Sequence, residues 1–426
     1  RAMMSFGFRL YRTVTYILSP WLGIIMHRRV KTGKEAPRRL AERWARYNQD
    51  RPHGQLVWLH AASVGESLIQ ITLARGLLSL RPDVSFIFTC QTLTAARRIQ
   101  AELDQAQETN LRAAVQIMAP VDTPAIARRF VAHWRPDLSV FAESEVWPNL
   151  LFELDRRELP TALINARMTQ SSLAGWRRWP ALSHWLFSRF SVIMASDQQT
   201  ATGLSTLRRA PVEPVGNLKS AIPPPDADPD DLKRWQTFLN GREVVLAAST
   251  HPGEEDFITA ILADLEPRPF LIIAPRHPER GTEISDTLRS RSFTVCQLSQ
   301  DEPFGSEPDI LVADTIGDMG LWYRLAATVY LGGGHSPDIG GHNPLEAIRL
   351  GRAVLTGPHV FNFRDMMADL QQRGGITIVH NADEFKAHYP ACPPAGELLE
   401  ALATEANKPL DTTLAALGPL LRQQQE

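Results

Sequence analysis

The chain has 426 residues, 44% hydrophobic and 22% charged, which is the composition of an ordinary globular protein large enough for two domains. Its formal net charge of −2 argues against a nucleic-acid-binding protein. The three cysteines, Cys90, Cys296 and Cys392, lie far apart without the short spacing of a zinc site, which favours a reducing compartment or buried thiols.

The first 46 residues are strongly basic, with eleven arginines and lysines against two glutamates. An uncharged run from Thr13 to Met26 lies inside this block and is shorter than the roughly 18 residues of a secure membrane span. Tyr16 and Trp21 in the run, with arginines on both sides, are typical of a segment lying in the membrane interface. We therefore predict a membrane-anchoring helix within residues 1–50, on the cytoplasmic side of the membrane. A buried N-terminal helix is the alternative.

Beyond residue 50, short apolar strands alternate with amphipathic helices, beginning with Leu56–His60 and Leu68–Leu80. This alternation is typical of a parallel, doubly wound sheet. Residues 216–231 interrupt it with three consecutive prolines and an acidic tail, which indicates a linker. The sequence thus predicts an α/β domain over 51–215 and a second over 232–426, with a cleft between them.

Polar clusters follow several of the predicted strands. Because ligands bind beyond the carboxyl ends of strands in such sheets, these clusters mark candidate sites. They are His60–Glu66, Glu143–Glu145 with Trp147–Asn149, Asn165–Arg167, Ser249–His251, Pro275–Glu279, Asp314–Asp318 and Gly340–Glu346. Lys219, in the linker, is well placed to face charge that develops in the cleft, although a lone lysine is most often solvated. Ser63 and Glu66 have capping-box spacing, so the simpler role of Glu66 is to cap the next helix.

The stretch 331–363 combines an apolar strand, a glycine-rich loop and a helix start. Asn343 is a suitable N-cap, Pro344 suits the first helical position, and Glu346 has the spacing of a capping box. Unpaired N–H groups and the helix dipole favour an anion at such a turn, and Glu346 could accept hydrogen bonds from ribose hydroxyls. A tight, well-capped turn explains the pattern equally well.

Arg276 and His277, together with Ser249 and Thr250, extend this pattern to a phosphate-and-ribose site in the C-terminal half. The chain has no GxxxxGK[ST] loop and no GxSxG elbow, which argues against NTPases, kinases and serine hydrolases. No Asp-x-Asp motif follows a predicted strand to mark a divalent-metal site for a nucleotide sugar. We therefore expect neither a metal nor a cofactor.

Eight stretches, taken together and in this order, make the chain resemble the Kdo transferases, which move 3-deoxy-D-manno-octulosonate (Kdo) from CMP-Kdo onto a lipid A precursor. They are LHAASVGES (59–67), ESEVWPN (143–149), INARMT (164–169), GNLK (216–219), ASTHPGEE (248–255), APRHPER (274–280), GGHNPLEA (340–347) and GPHVFNF (357–363). The resemblance covers nearly the whole chain. It implies a GT-B-like fold: two Rossmann-like domains facing a cleft, the first binding the acceptor and the second the CMP-sugar.

The resemblance also implies roles for individual residues. Glu66 matches the family's general base, and Glu143 and Lys219 match residues that stabilise the transition state. The CMP-binding segments are matched by Pro275 and Arg276, by Ile316, Gly317 and Asp318, and by Asn343, Pro344, Leu345 and Glu346. Where the family commonly has Met-Gly-Glu-Leu, this chain has Ile-Gly-Asp-Met at 316–319, so the longer carboxylate is replaced by the shorter one of Asp318.

The resemblance thus implies an inverting, metal-independent glycosyltransferase of lipopolysaccharide core biosynthesis at the cytoplasmic face of the inner membrane. Glu66 would take the proton of the attacking hydroxyl, while Lys219, Arg276 and helix-start N–H groups would meet the charge of the leaving phosphate. One alternative is a nucleotide-sugar epimerase of similar shape, which needs no lipid acceptor and is disfavoured by the basic N-terminus. Another is a membrane-tethered nucleotide binder, disfavoured by the combination of Glu66, Glu143 and Lys219.

Overall fold

The structure, a computed structural model, describes residues 5–300 and 308–421. It divides into two compact units: unit 1 comprises Arg1–Ile222 with Glu405–Glu426, and unit 2 comprises Pro223–Thr404. Each unit contains one seven-stranded sheet whose paired strands all run parallel. The predicted architecture of two parallel α/β domains is confirmed.

Unit 1 alternates strands and helices from Leu56 onward. Its strands are β1 (Leu56–Ala61), β2 (Ser85–Cys90), β3 (Val115–Met118), β4 (Leu138–Ala142), β5 (Thr161–Ala166), β6 (Val192–Ala195) and β7 (Glu213–Pro214). Its helices are α1 (Phe6–Leu18), α2 (Leu22–Lys31), α3 (Leu40–Arg43), α4 (Val64–Leu80), α5 (Leu93–Asp104), α6 (Thr109–Arg112), α7 (Pro124–Trp134), α8 (Pro148–Asp155), α9 (Gln170–Arg177), α10 (Pro180–Phe187) and α11 (Gln198–Arg208).

Unit 2 repeats the alternation. Its strands are β8 (Val244–Thr250), β9 (Phe270–Pro275), β10 (Val295–Gln297), β11 (Ile310–Val312), β12 (Thr328–Leu331), β13 (Ala353–Thr356) and β14 (Thr377–Ile378). Its helices are α12 (Pro229–Leu239), α13 (Glu254–Ala263), α14 (Gly281–Ser290), α15 (Met319–Leu325), α16 (Leu345–Arg349), α17 (Arg364–Gln372) and α18 (Ala382–Ala387). The last helix, α19 (Gly396–Leu417), begins in unit 2 and ends among the residues of unit 1.

The central strands are apolar at nearly every position because helices cover both faces of each sheet, so side chains on either face are buried. Strands β1 and β5, for example, are buried throughout. Two apolar clusters form in unit 1 and two in unit 2, one on each side of the sheet. The sheets are therefore rigid platforms for the loops at their carboxyl ends.

The strand order fixes where a ligand can bind in each unit. In unit 1 the order is β3-β2-β1-β4-β5-β6-β7, and in unit 2 it is β10-β11-β9-β8-β12-β13-β14. The winding reverses between β1 and β4 in the first sheet and between β8 and β12 in the second. In doubly wound sheets, the crevice beyond the strand ends at this reversal is the usual ligand site.

The C-terminal domain boundary predicted at 232–426 needs correction. Residues 405–421 pack on unit 1, where Leu414, Leu417 and Leu421 join the apolar cluster under α4. The predicted linker 216–231 is also partly structured, because Leu218–Ala221 form a 3-10 helix belonging to unit 1 and α12 already begins at Pro229. The packing of the C-terminal tail and the structure within the linker were not predicted. The composition of an apolar tail or a proline-rich turn does not show which unit it packs on. Residues 1–4, 301–307 and 422–426 of the predicted segments lie outside the described residues.

The N-terminal segment forms α1 and α2, joined by a 3-10 turn at Ser19–Trp21. One face of α1 packs on the rest of unit 1: the Phe8 ring lies 3.9 Å from that of Trp185, and the Tyr11 hydroxyl donates to Asp122 over 2.9 Å. The opposite face is apolar and exposed. In the described part of the chain, no helix has both the length and the apolar content needed to cross a bilayer.

Candidate active site

The candidate catalytic residues of unit 1 lie at its sheet reversal. Glu66 follows β1 in the first turn of α4, and Glu143 follows β4 directly. Lys219 lies in the 3-10 helix after β7, and the end of its side chain rests against Gly65. Three residues that are far apart in sequence are thus brought to the carboxyl ends of two adjacent strands.

Glu66 and Ser63 cap the start of α4 together, but the Glu66 carboxylate accepts the backbone N–H of Ala62 in place of the Ser63 N–H of a strict capping box. The Ser63 hydroxyl donates to Glu66 Oε1 over 2.7 Å, and the Glu66 N–H donates to Ser63 Oγ over 3.3 Å. The N–H of Ala62 donates to Glu66 Oε2 over 2.8 Å. Each carboxylate oxygen can accept a second hydrogen bond, so the capping contacts leave Glu66 able to accept a proton. Capping and a base role are therefore compatible in one conformation.

The surroundings of Glu66 favour its protonated form. Burial raises the pKa of Glu66, and the nearby Glu143 and Glu145 carboxylates raise that pKa further, against the opposing hydrogen bonds from Ala62 and Ser63. A carboxylate whose pKa lies above its ordinary value is a stronger base once ionised. This is the property that a general base acting on a sugar hydroxyl requires.

Lys219 and Glu143 form a close ion pair, with Nζ 2.6 Å from Oε1. Both side chains remain partly accessible to solvent. Glu143 has a left-handed backbone, φ 55°, which costs a non-glycine residue about 1 kcal/mol or more. Such strain is characteristic of functional sites, where the surrounding fold holds a side chain in a set direction.

The backbone that carries Lys219 is tied down on both sides. The Asn165 side chain, at a bulge of β5, accepts the N–H of Leu218 over 2.9 Å. The hydroxyl of Ser220 donates to the carbonyl of Ala406 over 2.8 Å. Asn165 was part of a predicted polar cluster, but its function of fixing the lysine backbone is visible only in the structure.

Asn149, the last residue of the ESEVWPN motif, is not part of this site. It is buried, donates to the carbonyl of Asp122 over 2.9 Å, and reaches Thr15 of α1 over 3.2 Å. Its own N–H donates to the Asp122 carboxylate over 3.0 Å. This part of the motif therefore secures the N-terminal helix to unit 1.

The predicted nucleotide-binding residues of unit 2 lie along the carboxyl edge of strands β11, β9, β8 and β12. Pro275 is buried at the end of β9, and the following Arg276 is exposed. In the part of the chain that the structure describes, the Arg276 guanidinium has neither a hydrogen-bond acceptor nor an ion-pair partner, so it is available to an anion. Ile316 is 89% exposed and Gly317 has φ +114°, so this turn presents backbone and an apolar side chain together.

The turn at Ile316–Asp318 contains the shorter acid, Asp318, noted in the sequence. The Asp318 carboxylate accepts the Thr315 hydroxyl over 2.5 Å and lies at the start of α15. A shorter acid at this position is thus used locally, within its own turn. The exposed backbone on either side of Gly317 remains free to contact a ligand.

The glycine-rich loop after β12 differs from the anion cradle that its sequence predicts. The N–H groups of Gly333 and His335 both donate to the buried Glu254 carboxylate, over 2.8 and 3.0 Å, and the N–H of Gly332 donates to Ala248. A side chain at Gly332 would collide with the Ser249 carbonyl and with Glu254. Close packing within the protein requires these glycines. The N–H groups of Gly332, Gly333 and His335 are therefore not available to an anionic ligand.

The predicted capping box at Asn343 is also only partly formed. Helix α16 begins at Leu345, and Asn343 Oδ1 accepts the Leu345 N–H over 3.0 Å. Within the described residues, Glu346 makes no return bond to the backbone of Asn343. Asn343 and Glu346 are exposed and Pro344 is buried, so the two polar side chains are free to meet a ligand.

A histidine pair not anticipated as a unit joins the two central loops of this site. His251 follows β8, His342 lies in the loop after β12, and their Nε2 atoms are 2.8 Å apart. A centroid distance of 5.1 Å and planes only 12° apart place the rings edge to edge, so one Nε2–H donates to the other Nε2. Burial, His251 and Arg276 together lower the pKa of His342 to about 4.

Among the described residues, no group of three or more histidine, cysteine, aspartate or glutamate side chains is arranged to hold a metal ion. The cations available to an anionic ligand in the two sites are instead protein side chains, Lys219 in unit 1 and Arg276 in unit 2.

The fold resembles that of a known class of enzyme. A glycosyltransferase from Rickettsia africae ESF-5 has a similar crystal structure, with 12% identity and a TM-score of 0.51, covering 89% of this chain and all of that one. The similarity concerns the fold alone. It agrees with the two parallel α/β units in indicating a GT-B-like fold.

Comparison of sequences gives the family. Residues 38–222 match the family model described as 3-deoxy-D-manno-octulosonic-acid transferase (kdotransferase), and this match ends where unit 1 gives way to unit 2. The chain is 31% identical to a probable mitochondrial 3-deoxy-D-manno-octulosonic acid transferase of Arabidopsis thaliana, over 88% of this chain and 84% of that one. It is 30% identical to the 3-deoxy-D-manno-octulosonic acid transferase of Haemophilus influenzae, over 90% of each. The chain belongs to the 3-deoxy-D-manno-octulosonic-acid transferase family.

Proposed function

We propose that this glycosyltransferase moves Kdo from CMP-Kdo to a hydroxyl of a lipid A precursor, with inversion at the anomeric carbon and without a metal. The observation that carries the proposal is the grouping of Glu66, Glu143 and Lys219 at the sheet reversal of unit 1, in a chain of this family. Unit 1 would bind the acceptor, and unit 2 would bind the CMP portion of the donor.

Glu66 is the proposed general base. Its capped, buried position holds the carboxylate in one orientation, and each of its oxygens retains a lone pair for an incoming hydroxyl. The acceptor hydroxyl attacks the anomeric carbon as its proton passes to Glu66. The bond from the anomeric carbon to the phosphate oxygen breaks, and CMP leaves with the bonding electron pair.

Lys219 and Glu143 are the proposed transition-state pair. The ammonium group is a fixed positive charge for the negative charge that develops during transfer, and it needs no reorganisation because Glu143, Asn165 and Ser220 already hold it or its backbone. Glu143, as the partner of Lys219, keeps the ammonium directed at the site.

The proposed contacts to CMP come from unit 2. Arg276 supplies the guanidinium for the phosphate, and Asn343 and Glu346 supply polar groups for ribose hydroxyls. The exposed turn Ile316–Asp318 offers an apolar surface and backbone groups for the base. In the histidine pair beside Arg276, the neutral ring that accepts at Nε2 carries its hydrogen on Nδ1. This N–H is a further donor, in place of the loop amides that are bound to Glu254.

The N-terminal segment is the proposed membrane contact. Large apolar side chains project into solvent from α1, the 3-10 turn and α2: Phe6, Leu10, Val14, Ile17, Leu18, Trp21, Ile24 and Ile25. Arginines and a lysine flank this face, which suits the interface of an anionic membrane. The enzyme would thereby act at the cytoplasmic face of the inner membrane. The exposed apolar side of α1 and α2 would contact the lipid.

The membrane contact is tested by replacing Ile17, Trp21 and Ile24 together with serine. The wild-type chain should co-sediment with vesicles containing anionic lipid, and the triple variant should remain in the supernatant. Leu80→Ser, which also removes an exposed apolar side chain of unit 1, is the matched control and should sediment like wild type. Equal sedimentation of the triple variant and the wild type would contradict the assignment.

The function is tested by incubating the chain with CMP-Kdo and a tetra-acylated lipid A precursor and weighing the lipid by mass spectrometry. Transfer adds whole Kdo units to the lipid, and their number gives the valency. An unchanged lipid, with the donor epimerised or untouched, would overturn the proposal.

A further inference from the structure

A chain of hydrogen bonds runs from the core of unit 1 to the acidic site. Trp58 Nε1 donates to Thr89 Oγ1 over 2.8 Å, and Thr89 Oγ1 lies 2.7 Å from His60 Nδ1. His60 Nε2 lies 3.2 Å from Glu145 Oε2, and Trp147 Nε1 donates to that same oxygen over 2.9 Å. The first three residues are almost wholly buried, so these bonds are shielded from water.

The hydrogen-bonding groups of Trp58 and Thr89 determine which nitrogen of His60 carries the proton. The indole of Trp58 can only donate, so Thr89 must accept there with a lone pair. The Thr89 hydroxyl then has one hydrogen left, and His60 Nδ1 is the partner within reach in the described contacts. A buried hydroxyl hydrogen left without an acceptor is costly, so Thr89 donates and Nδ1 accepts. His60 therefore carries its proton on Nε2 and donates it to Glu145.

The His60 ring cannot easily turn away from this arrangement. Its plane is nearly perpendicular to that of Trp147 at 5.9 Å, and Phe141 lies 5.6 Å away on the neighbouring strand β4. Gln70 donates to the His60 carbonyl over 2.9 Å, which fixes the backbone as well. Glu145 Oε2 is thus held by two rigid aromatic donors.

The other oxygen of Glu145 is unoccupied. Within the described residues Oε1 has no hydrogen-bond partner, and the side chain is 16% exposed, beside Glu66 and Glu143. A carboxylate with one oxygen fixed by the protein and one directed at solvent in a ligand crevice is arranged to accept a hydroxyl.

We propose that Glu145 is a positioning residue for the acceptor: Oε2 is locked by His60 and Trp147, and Oε1 accepts a hydrogen bond from a second hydroxyl of the acceptor sugar. This inference rests on the proposed function, since it takes the acceptor to be a sugar bound in unit 1. The hydrogen bond to Glu145 Oε1 would orient the acceptor sugar ring so that its attacking hydroxyl lies at Glu66. A sugar that lacks this second hydroxyl would leave Oε1 unpaired.

Glu145 also acts on Glu66 through its charge. The charged groups around Glu66 are Glu143 and Glu145 from the segment after β4 and Lys219 from the 3-10 helix. The carboxylate of Glu145 contributes to raising the pKa of Glu66, after burial and Glu143. Removing the charge of Glu145 should therefore make Glu66 lose its proton at lower pH.

The proton assignment is tested without substrate by nitrogen-15 NMR of the histidine rings in the ligand-free protein. The signals of His60 are identified by their loss in His60→Gln. We expect the neutral ring with hydrogen on Nε2 and an unprotonated Nδ1. A ring with hydrogen on Nδ1 would overturn the assignment, whatever the enzyme transfers.

The positioning role is tested with Glu145→Gln, whose amide oxygen can still accept from His60 and Trp147. The lost charge-assisted hydrogen bond should raise the KM for the acceptor by about tenfold or more. The acid limb of the kcat/KM profile should move to lower pH, a change that loss of packing alone would not produce. Glu213→Gln, which removes an exposed glutamate of β7, is the matched control and should leave both unchanged.

The two tests also separate this inference from the proposed function. Wild-type enzyme that adds no Kdo to the lipid would refute the proposed function, while the His60 assignment would still be decided by NMR. Normal transfer by Glu145→Gln, with unchanged acceptor KM and an unmoved acid limb, would refute the role of Glu145 and leave the proposed function standing.

Discussion

The two sheet reversals of this protein have opposite chemistry although they share one topology. In unit 1 the loops after the central strands carry three carboxylates, Glu66, Glu143 and Glu145, around a single ammonium group. In unit 2 the corresponding loops carry Arg276 and the His251–His342 pair, with Glu254 buried beneath them. The first arrangement suits proton removal from a hydroxyl, and the second suits an anionic nucleotide.

A glutamate lies in the first turn of the helix after the first central strand in each unit, and the two glutamates meet different sets of hydrogen-bond donors. Glu254 accepts three backbone N–H groups, from His251, Gly333 and His335, and holds two loops together. Glu66 accepts only one N–H and one hydroxyl, and burial raises its pKa. The number of donors directed at the carboxylate distinguishes the structural role of Glu254 from the base role proposed for Glu66.

The largest expected effect is that of Glu66→Gln on unit 1. Losing the base should lower kcat by about 10²- to 10⁴-fold. Because the pKa of Glu66 is raised in the folded state, its contribution to stability falls as pH rises from the ordinary value of 4.5 through the folded-state pKa. The variant avoids this loss, so its free energy of unfolding relative to wild type should increase over that range, as measured by urea denaturation.

Transfer at the wild-type rate by Glu66→Gln would show that Glu66 is not the general base. A relative stability that falls with rising pH would show that the carboxylate is stabilised, not destabilised, by its surroundings. Glu158→Gln, at a distant loop after α8, is a control in which neither quantity should change.

Lys219→Met removes the only ammonium group placed at the unit 1 site among the described residues. Losing a fixed positive charge in the transition state should lower kcat by about 10²- to 10³-fold with a smaller change in the acceptor KM. Steady-state kinetics at saturating donor measures this. Lys233→Met, an exposed lysine of α12, should retain wild-type kcat, and an unchanged kcat for Lys219→Met would contradict the transition-state role.

Arg276→Met tests the phosphate contact proposed for unit 2. Losing a guanidinium contact to phosphate should raise the donor KM by about ten- to a hundredfold. The acid limb of kcat/KM should stay in place, because the groups that shift the pKa of Glu66 belong to unit 1. Arg234→Met is the control. An unchanged donor KM would place the phosphate elsewhere.

The smallest effect is expected for Ser63→Ala. The variant loses the cap of α4, which costs about 1 kcal/mol of stability, measurable by thermal or urea unfolding. The Ser63 hydroxyl also lowers the pKa of Glu66, so the acid limb of the rate profile should move to higher pH. That shift is opposite in sign to the one expected for Glu145→Gln. A shift to lower pH would contradict the described hydrogen bond.

Much of this organisation could be predicted from the sequence. Strand β1 begins at the predicted Leu56 and helix α4 ends at the predicted Leu80, because turn residues bound their apolar runs at these points. The two α/β units followed from the alternation, and the family followed from motifs spread along the chain. The structure then brought Glu66, Glu143 and Lys219 to one edge of one sheet.

What could not be predicted depends on contacts between distant segments. The glycines at 332–334 suggested an anion cradle, but the deciding partner, Glu254, lies some eighty residues earlier and takes up the amides. The pairing of His251 with His342, the support of Lys219 by Asn165, and the packing of Leu417 on unit 1 are likewise long-range. No pattern of neighbouring residues in the sequence indicates these long-range contacts.

The most direct test of the division between the units is the dissociation constant of CMP, measured by calorimetry for Glu66→Gln and Arg276→Met. We expect Glu66→Gln to bind CMP as tightly as wild type and Arg276→Met to bind it about tenfold or more weakly. Equal weakening by both substitutions, or undiminished binding by Arg276→Met, would contradict the assignment of the base to unit 1 and the nucleotide to unit 2.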